Sequence, residues 1–501
     1  MLFNSWEFLI FFPIVVLVYF LIPRKVKRYW LLVVSYYFYM CWNPKYIILI
    51  LFSTIATYLS GLAMSKVDEK QSDETKAKKK KKAILAACFV VNLAILAFFK
   101  YFDFMLGNMN RIFSLAGFSV SNPFSFALPV GISFYTFQAL GYIVDVYRKD
   151  IKAEKSFINY ALFVSFFPQL VAGPIERSKN LLGDIHRITT QKMWDYRRIT
   201  GGLITMLYGM FLKLVVTDRV SILVDQVFNN YKTAEPLALW AGAFGFSLQI
   251  YCDFGGYSTI AIGAAKVMGF SLMENFETPY FARSIKEFWR RWHISLSTWF
   301  KDYLYIPLGG SRCSKWKKYR NLMITFLVSG VWHGAGWHFI IWGGLHGAFQ
   351  IIGDMLMPLR RKVVDILHID TKSHGHIIYQ TVGTTFLATI AWIFFRAKST
   401  RLALVYIKRM FALRPSELMN VKVIYNYGLD SVEIKILLLA VLVMFLVGLV
   451  RYNMHLKFEE YLAKQNLWFR WLVLFTMLFS ILIFGMYGQQ FDAQAFIYFQ
   501  F

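Results

Sequence analysis

Two stretches in the second half of the chain decide how it folds: FWRRWHISLSTWFKDYLYIPLGG (residues 288–310) and FLVSGVWHGAGWHFIIWGGLHG (residues 326–347). Each places a histidine among aromatic and aliphatic residues, His293 in the first stretch and His333 in the second. An ionisable side chain at membrane depth is costly and usually marks a functional site or pathway. These two histidines are therefore the first candidates for chemistry.

The first stretch predicts one amphipathic helix over residues 289–303. At about 100° per residue, its aromatic side chains fall on one face and its charged and hydroxyl side chains on the other. Such a helix lies in the membrane interface or dips into the protein, with His293 turned toward the apolar side. The apolar face consists of Trp289, Trp292, His293, Leu296, Trp299, Phe300 and Tyr303.

The composition indicates an integral membrane protein. Of the 501 residues, 57% are hydrophobic, and repeated apolar runs approach the length of a membrane-spanning helix. We predict an all-α polytopic membrane protein with about 10–11 transmembrane helices plus re-entrant and interfacial helices. Residues 163–177 contain Pro168, Gly173 and Pro174, so a broken or re-entrant segment is expected there. The whole chain, residues 1–501, is predicted to be one domain with its core at about residues 128–350.

The formal net charge of +26 comes largely from lysines and arginines in short loops between apolar runs. This is the positive-inside pattern, so we expect no nucleic-acid partner. Residues 66–82 hold eight lysines against four acids, which indicates a cytoplasmic loop; contact with anionic lipid headgroups is a second interpretation. Neither the four cysteines nor His368, His374 and His376 have the spacing of a metal site, and we predict none.

A buried histidine suits proton transfer. The ordinary pKa of imidazole lies near neutrality, and burial favours its uncharged form. Such a ring can take a hydroxyl proton while that oxygen attacks an acyl carbonyl. Two classes of protein follow, a membrane transferase with a histidine base and a transporter with a proton-relay histidine. The paired half-chain repeats with matched broken helices that mark many transporters are not evident, which favours the transferase.

Three further sets of residues are candidates for structural roles, and two of these sets also have a functional interpretation. Asp253, in YCDFGGYSTIAIG (residues 251–263), is either a structural carboxylate that accepts backbone hydrogen bonds or a substrate contact. His338 and His346 do not share a helix face with His333 and are expected to be structural. Close helix packing and a narrow acyl channel are both compatible with the small-xxx-small pairs Gly330/Gly334 and Gly343/Gly347.

Together these motifs resemble the membrane-bound O-acyltransferase (MBOAT) family, in particular its bacterial alginate O-acetylation branch. The resemblance runs from end to end, and the ordered set of motifs is specific although WHG (residues 332–334) alone is weak. The other motifs are FFPIVVLVYFLIP (11–23), SYYFYMCWNPKY (35–46), LPVGISFYTFQALGYIVDVYR (128–148), FFPQLVAGPIER (166–177), QIYCDFGGYSTIAIG (249–263), RRWHISLS (290–297) and FIYFQF (496–501).

The resemblance implies a fold and a site. The fold would be a ring of tilted helices around a central catalytic chamber, reached by funnels from both membrane faces. His333 of WHG would be the catalytic residue, and His293 of RRWHISLS a second catalytic residue in the same chamber. The predicted substrate contacts are Trp289, Trp292, Trp299, Trp332 and Asp253.

The resemblance also implies a reaction. Members of this branch take an acyl group from an intracellular thioester, either acetyl-CoA or an acyl carrier protein, and pass it to an envelope polymer, often through a separate extracytoplasmic acetyltransferase. We expect a multi-pass O-acyltransferase of the bacterial inner membrane, foremost an O-acetyltransferase for alginate or another exopolysaccharide. Its partners would be membrane lipids, that acetyltransferase and a carrier protein, with no tightly bound cofactor. D-alanyl or other acyl transfer to teichoic acid or peptidoglycan is the alternative, and a proton-coupled transporter ranks below it.

Overall fold

The described part of the chain is helical. The computed structural model describes residues 1–122, 128–416 and 420–487, and no strand occurs within these ranges. The all-α prediction is confirmed. The α-helices are α1 (Trp6–Leu21), α2 (Lys27–Met40), α3 (Ile47–Lys70), α4 (Glu74–Phe113), α5 (Ile132–Arg148), α6 (Phe157–Ser165), α7 (Phe167–Leu170), α8 (Ser178–Arg187), α9 (Tyr196–Met210), α10 (Asp218–Asn229), α11 (Pro236–Met268), α12 (Ile285–Arg291), α13 (Ile294–Phe300), α14 (Lys315–His333), α15 (Trp337–Met355), α16 (Met357–Ile366), α17 (His374–Arg396), α18 (Thr400–Met410), α19 (Ser431–Met454), α20 (Phe458–Ala463) and α21 (Leu467–Phe484).

Among the described residues, six helical segments are long and apolar enough to cross a membrane. The bent pair α15 and α16, with 49° between its two parts, raises the number to seven. This is fewer than the predicted number of spans, because several apolar runs form helices below the ~20 residues of a straight span; α1 has 16 residues and α5 has 17. The six segments are Pro44–Lys70, Glu74–Phe113, Tyr196–Asn229, His374–Arg396, Ser431–Met454 and Leu467–Phe484.

The predicted break within residues 163–177 is confirmed. α6 ends before Phe166, and α7 adds only four residues before the chain turns. Protein groups satisfy the freed backbone, since the Nε2 atoms of Gln138 and Gln169 both donate to the carbonyl oxygen of Phe163, at 2.6 and 2.9 Å. Irregular backbone at membrane depth is tolerated where protein covers it in this way.

The chain divides into two compact units. The first comprises Met1–Leu203 and Ala261–Met273, and the second comprises Ile204–Ile260 and the described residues from Glu274 onward. All the predicted site residues belong to the second unit. A single domain over residues 1–501 stays a prediction.

In the first unit the lysine-rich segment, residues 66–82, comprises the end of α3, the turn at residues 71–73 (the lysine-rich turn) and the start of α4. The Asp73 carboxylate caps α4 by accepting hydrogen bonds from the backbone N–H groups of Thr75 and Lys76. Asp68, near the end of α3, forms an ion pair with Lys81 at 2.8 Å and lies 3.6 Å from the Lys149 ammonium. The end of α5 therefore lies on the same side of the unit as this turn.

In the second unit α14 and α15 cross at a distance that only glycine permits. A Cβ on Gly343 would lie 2.2 Å from the carbonyl oxygen of Phe326, and a Cβ on Gly330 would lie 2.4 Å from that of Phe339. Both distances are far inside van der Waals contact, so the packing interpretation of these glycines holds. The crossing fixes the end of α14, where His333 lies.

A cysteine in the lysine-rich turn reports its side of the membrane. In a chain whose exposed native Cys41 is replaced by serine, Ser72→Cys should resist a membrane-impermeant maleimide in intact cells and react after permeabilisation. The reason is that eight lysines oppose translocation of so short a segment. Lys45→Cys, in the turn at the other end of α3, is the matched control and should react in intact cells. Labelling of Ser72→Cys without permeabilisation would show that the turn lies outside the cell, which contradicts the predicted topology.

Two neighbouring glycines test the α14–α15 crossing. Gly343→Ala should destabilise the protein by about 1–3 kcal/mol, because the new methyl group meets a backbone carbonyl that cannot move aside. Gly344→Ala is the matched control; its Cβ would lie 3.6 Å from Leu327, which is ordinary contact, so stability should be unchanged or slightly higher. Thermal unfolding in detergent, followed by tryptophan fluorescence, measures both. Equal unfolding temperatures for the two variants would contradict the tight crossing.

Candidate active site

The predicted continuous helix over residues 289–303 is wrong. The chain forms two short helices, α12 and α13, which are joined through Trp292 and His293. His293 has φ 42° and ψ 54°, the left-handed conformation that costs a non-glycine residue roughly 1–2 kcal/mol. After α13, a π-helical turn covers Lys301–Tyr305. His293 therefore lies at a sharp break in the chain.

A neighbouring segment of backbone stabilises this break. The N–H of Ile294 donates to the carbonyl oxygen of Asn275 at 2.9 Å, and the N–H of Glu277 donates to the carbonyl oxygen of Arg291 at 2.9 Å. These bonds satisfy groups on both sides of His293 that a continuous helix would have paired internally. The break is thus a specified feature of the fold.

The side chain of Asn275 holds the same junction. Its Oδ1 accepts a hydrogen bond from Ser295 Oγ at 2.6 Å, and its Nδ2 donates to Ser258 Oγ at 3.1 Å. All three side chains are buried. Asn275 is a site residue that the sequence reasoning missed, because its partners lie 20 and 17 positions away and no local pattern connects them.

The structure brings the two predicted catalytic histidines together. The ring centroids of His293 and His333 are 6.4 Å apart, and their planes are inclined by 61°. Their exposed fractions are 0% and 5%. The two imidazole rings are therefore close neighbours in one buried site.

Aromatic rings enclose the pair. Trp332 packs on both histidines, with centroid distances of 6.1 Å to His293 and 4.9 Å to His333. Phe254 covers His293 at 4.7 Å, and Trp342 covers His333 at 4.8 Å. The histidines therefore lie in an apolar wall to which α11, α13, α14 and α15 contribute.

Two of the predicted tryptophans extend this wall. Trp289 packs on Trp342 at a centroid distance of 5.7 Å. Trp292 packs on Trp392 at 4.9 Å, and Trp392 in turn stacks on Trp342 at 5.6 Å. The remaining one, Trp299, is buried six residues beyond His293, where it packs on neighbours in the π-helical turn region.

Burial lowers the pKa of His293 to about 3, because its surroundings cannot solvate a charged ring. The ring is therefore neutral at physiological pH and presents one N–H donor and one acceptor nitrogen. A neutral ring of this kind suits a hydrogen bond to a substrate. Its lowered pKa also makes it a weak proton acceptor.

Gly334 of the WHG motif has a packing reason. A Cβ there would lie 2.1 Å from the ring of Phe339, which lies directly over the end of α14. Any side chain at this position would displace Phe339 and disturb the helix end that carries His333. The motif therefore combines a histidine with the glycine that keeps it in place.

His346 fits the structural role expected for it. The Nε1–H of Trp289 donates to His346 Nδ1 at 3.2 Å, so the neutral ring carries its own proton on Nε2. The ring also packs edge to face on Trp289 and Trp342, both at 5.1 Å. Its hydrogen bond fixes the orientation of Trp289 within the wall.

Asp253 is buried in an ion triad. Its Oδ1 lies 2.8 Å from the Nζ of Lys213, and the same ammonium lies 2.8 Å from Asp218 Oδ1. Lys213 lies in a π-helical turn, Phe211–Thr217, a distortion that is frequent at functional sites. The ion pair with Lys213 supports the structural interpretation of Asp253.

Two substitutions separate the interpretations of Asp253. Lys213→Met leaves two carboxylates without their cation and should destabilise the protein by about 3–5 kcal/mol. Asp253→Asn keeps the Lys213–Asp218 pair, so it should fold and retain most of the acyl-transfer activity of the parent. Unfolding temperature and acyl transfer at matched protein amount are the measurements. A folded Asp253→Asn variant whose activity falls by about 100-fold or more would make Asp253 a substrate contact.

The fold and the site are those of a multi-pass membrane protein with a buried histidine pair in an aromatic wall. The model of the MBOAT, membrane-bound O-acyltransferase family matches residues 148–395, a range that contains both histidines. The chain belongs to this family and is an acyltransferase.

Similar proteins act on three envelope polymers. The chain is 36% identical to the probable alginate O-acetylase AlgI of Pseudomonas aeruginosa over 472 residues, which cover 93% of this chain and 85% of that protein. It is 35% identical to the peptidoglycan O-acetyltransferase of Helicobacter pylori over 443 residues, with coverage of 82% and 80%. The teichoic acid D-alanyltransferase of Bacillus subtilis is 29% identical over 232 residues, with coverage of 44% and 58%.

Proposed function

We propose that this acyltransferase is an O-acetyltransferase of the bacterial inner membrane that acts in the modification of an envelope polysaccharide such as alginate. The observation that carries the proposal is the buried pair of His293 and His333, 6.4 Å apart between ring centroids. The alginate and peptidoglycan relatives described above, which match over four fifths of the chain, are named as O-acetyl enzymes. The D-alanyl relative matches less than half of it, which favours acetyl over D-alanyl transfer.

The base in this reaction is His333. Its neutral ring accepts the proton of the acceptor hydroxyl while the hydroxyl oxygen attacks the carbonyl carbon of the acetyl thioester. The new C–O bond forms, the C–S bond breaks, and the departing thiolate takes the proton back from the imidazolium. The products are the acetyl ester and the free thiol, and His333 is neutral again.

His293 stabilises the charge that develops on the carbonyl oxygen. Its ring is neutral, so it can donate one N–H to that oxygen, and its backbone is held in place by the bonds to Asn275. The aromatic wall, including Trp332 and Trp342, keeps water from the thioester. Exclusion of water favours transfer to the acceptor over hydrolysis.

The donor is a soluble thioester on the cytoplasmic side, carried by coenzyme A or by a carrier protein. The lysine-rich turn after α3, expected in the cytoplasm, defines the corresponding side of the first unit. An extracytoplasmic acetyltransferase receives the acetyl group or passes it to the polymer. The thioester is a co-substrate, and the reaction as written uses no tightly bound cofactor.

Replacement of the histidines tests the proposal. His333→Ala should lower the ester-linked acetate of the envelope polysaccharide by about 100-fold or more, because a positioned base contributes that factor or more. His293→Ala should leave residual acetylation. His374→Ala, an exposed histidine at the start of α17, is the matched control and should behave as the parent. Acetate and D-alanine released by mild alkali are quantified at equal protein level.

Unchanged acetate in the His333→Ala strain would remove this residue from the mechanism. Release of D-alanine in place of acetate from the parent strain would replace the proposed acyl group.

A further inference from the structure

A small cavity lies in the first unit at the start of α2. Its volume is about 120 Å³, and it is lined by the guanidinium-bearing residues Arg24 and Arg28 together with Asn159, Ile185, His186, Ile188 and Thr189. About 30 Å³ is the share of one water molecule in the liquid, so the cavity has room for a group the size of a phosphate. It lies outside the histidine pair, and nothing in the proposed acyl transfer uses it.

The two arginines in this cavity have no acidic partner among the described residues. Arg24 Nη1 donates to the carbonyl oxygen of Thr189 at 3.1 Å, and Arg28 Nη1 donates to Asn159 Oδ1 at 3.4 Å. A guanidinium has five N–H donors, so most of the donors of both side chains remain for a ligand. Because Asn159 Oδ1 faces Arg28, its amide N–H₂ group adds further donors.

The acidic groups near this cavity are already engaged. Glu154 Oε2 lies 2.7 Å from His186 Nε2, and Glu154 Oε1 accepts the backbone N–H of Ser156 at 2.8 Å. Arg187, which follows His186, pairs with Asp184. The cavity therefore keeps an excess of positive charge and of hydrogen-bond donors, a combination that selects an anion.

We propose that this cavity, the Arg24–Arg28 pocket, binds the phosphate group of an anionic phosphate ester. Guanidinium groups match phosphate because they offer paired N–H donors in a planar fork. Inorganic ions with one oxygen or none would leave most of these donors unused. Two sources supply the same chemistry: a phospholipid headgroup and a soluble phosphate ester.

The surroundings of the pocket favour the lipid source. The helix that leads into it ends in large apolar side chains with high exposure, 58% for Leu17 and 71% for Leu21. Such side chains fit the acyl chains of a lipid whose headgroup reaches Arg24. The pocket lies at the α1–α2 connection, bordered by Asn159 of α6 and His186 of α8. This connection is one helix hairpin before the lysine-rich turn, on the side expected to face the anionic cytoplasmic leaflet.

Binding to the purified full-length protein in detergent tests the pocket. The probes are dihexanoyl phosphatidylglycerol, glycerol 3-phosphate, and dihexanoylglycerol, which has the same chains without phosphate. Isothermal titration should give saturable binding of the phosphatidylglycerol, with a Kd at least about tenfold lower than that of dihexanoylglycerol, the factor expected for loss of one charge-assisted contact. Glycerol 3-phosphate should bind more weakly; equal binding would assign the site to soluble phosphate esters.

Paired variants locate the binding. Arg24→Gln/Arg28→Gln should weaken phosphatidylglycerol binding by about tenfold or more, since it removes both guanidinium groups. Lys25→Gln/Lys45→Gln removes the same total charge at exposed positions outside the cavity and should bind as the parent. Arg24→Lys/Arg28→Lys keeps the positive charge but not the planar guanidinium fork, so its affinity for phosphatidylglycerol should lie between those of the other two variants. This variant also tests the pocket if the glutamine variant fails to fold.

Three results would overturn the proposal. The first is equal binding of phosphatidylglycerol and dihexanoylglycerol by the parent. The second is parent-like phosphatidylglycerol binding by the Arg24→Gln/Arg28→Gln variant. The third is the absence of saturable binding for both phosphate probes. None of these outcomes depends on acyl transfer, so the experiments test the pocket independently of the proposed reaction.

Discussion

The second unit depends on a left-handed backbone conformation at His293 that the chain does not adopt without support. That conformation costs roughly 1–2 kcal/mol, and the hydrogen bonds from the Asn275–Glu277 segment offset the cost. The sharp turn sends α12 and α13 in different directions from a single point. It thereby places the ring of His293 beside His333. Trp289 packs on Trp342, and Trp292 packs on Trp392. A continuous helix would not have brought these groups together.

The second histidine reaches the site through close packing of a different kind. His333 is the last residue of α14. The close crossing of α14 and α15, at Gly330 of the first helix and Gly343 of the second, fixes that end. Because a side chain at either glycine would meet a backbone carbonyl, the two helices could not cross this closely with any other residue there. The two histidines are thus placed by independent devices, a hydrogen-bonded break for one and a glycine crossing for the other.

Sequence periodicity predicted which residues are buried better than it predicted the helix itself. The aromatic face of residues 289–303 was deduced from a helical repeat, and its tryptophans are buried although the helix is broken at Trp292 and His293. Ser295 is the informative exception. The repeat places it on the polar face, yet it is fully buried because its hydroxyl donates to Asn275. Bonds between residues 20 positions apart leave no trace in a local pattern.

Motif resemblance, by contrast, identified the family and the histidine pair, because ordered motifs over the whole chain encode a common fold. Among the described residues, fewer helices are long and apolar enough to span a membrane than the predicted number of spans, since hydropathy counts apolar runs but does not show where a run bends or stops short. Lys213 was missed as well. Its charge lies within an apolar run, and only the structure shows that the π-helical turn directs it to Asp253 and Asp218. A charged group deep in an apolar segment indicates a partner of opposite sign, as the two carboxylates around Lys213 show.

The apolar wall also bears on which chemistry the pair can perform. Surroundings that keep His293 neutral penalise any net charge, so a lone proton held on His333 would be costly there. Transfer to a thioester avoids this penalty, because the imidazolium and the developing oxyanion or thiolate arise together and attract each other strongly at low dielectric. A proton relay, in which the ring carries its charge alone between two sides of the membrane, gains no such compensation. The same burial that makes these histidines unusual in a membrane therefore favours acyl transfer over proton transport.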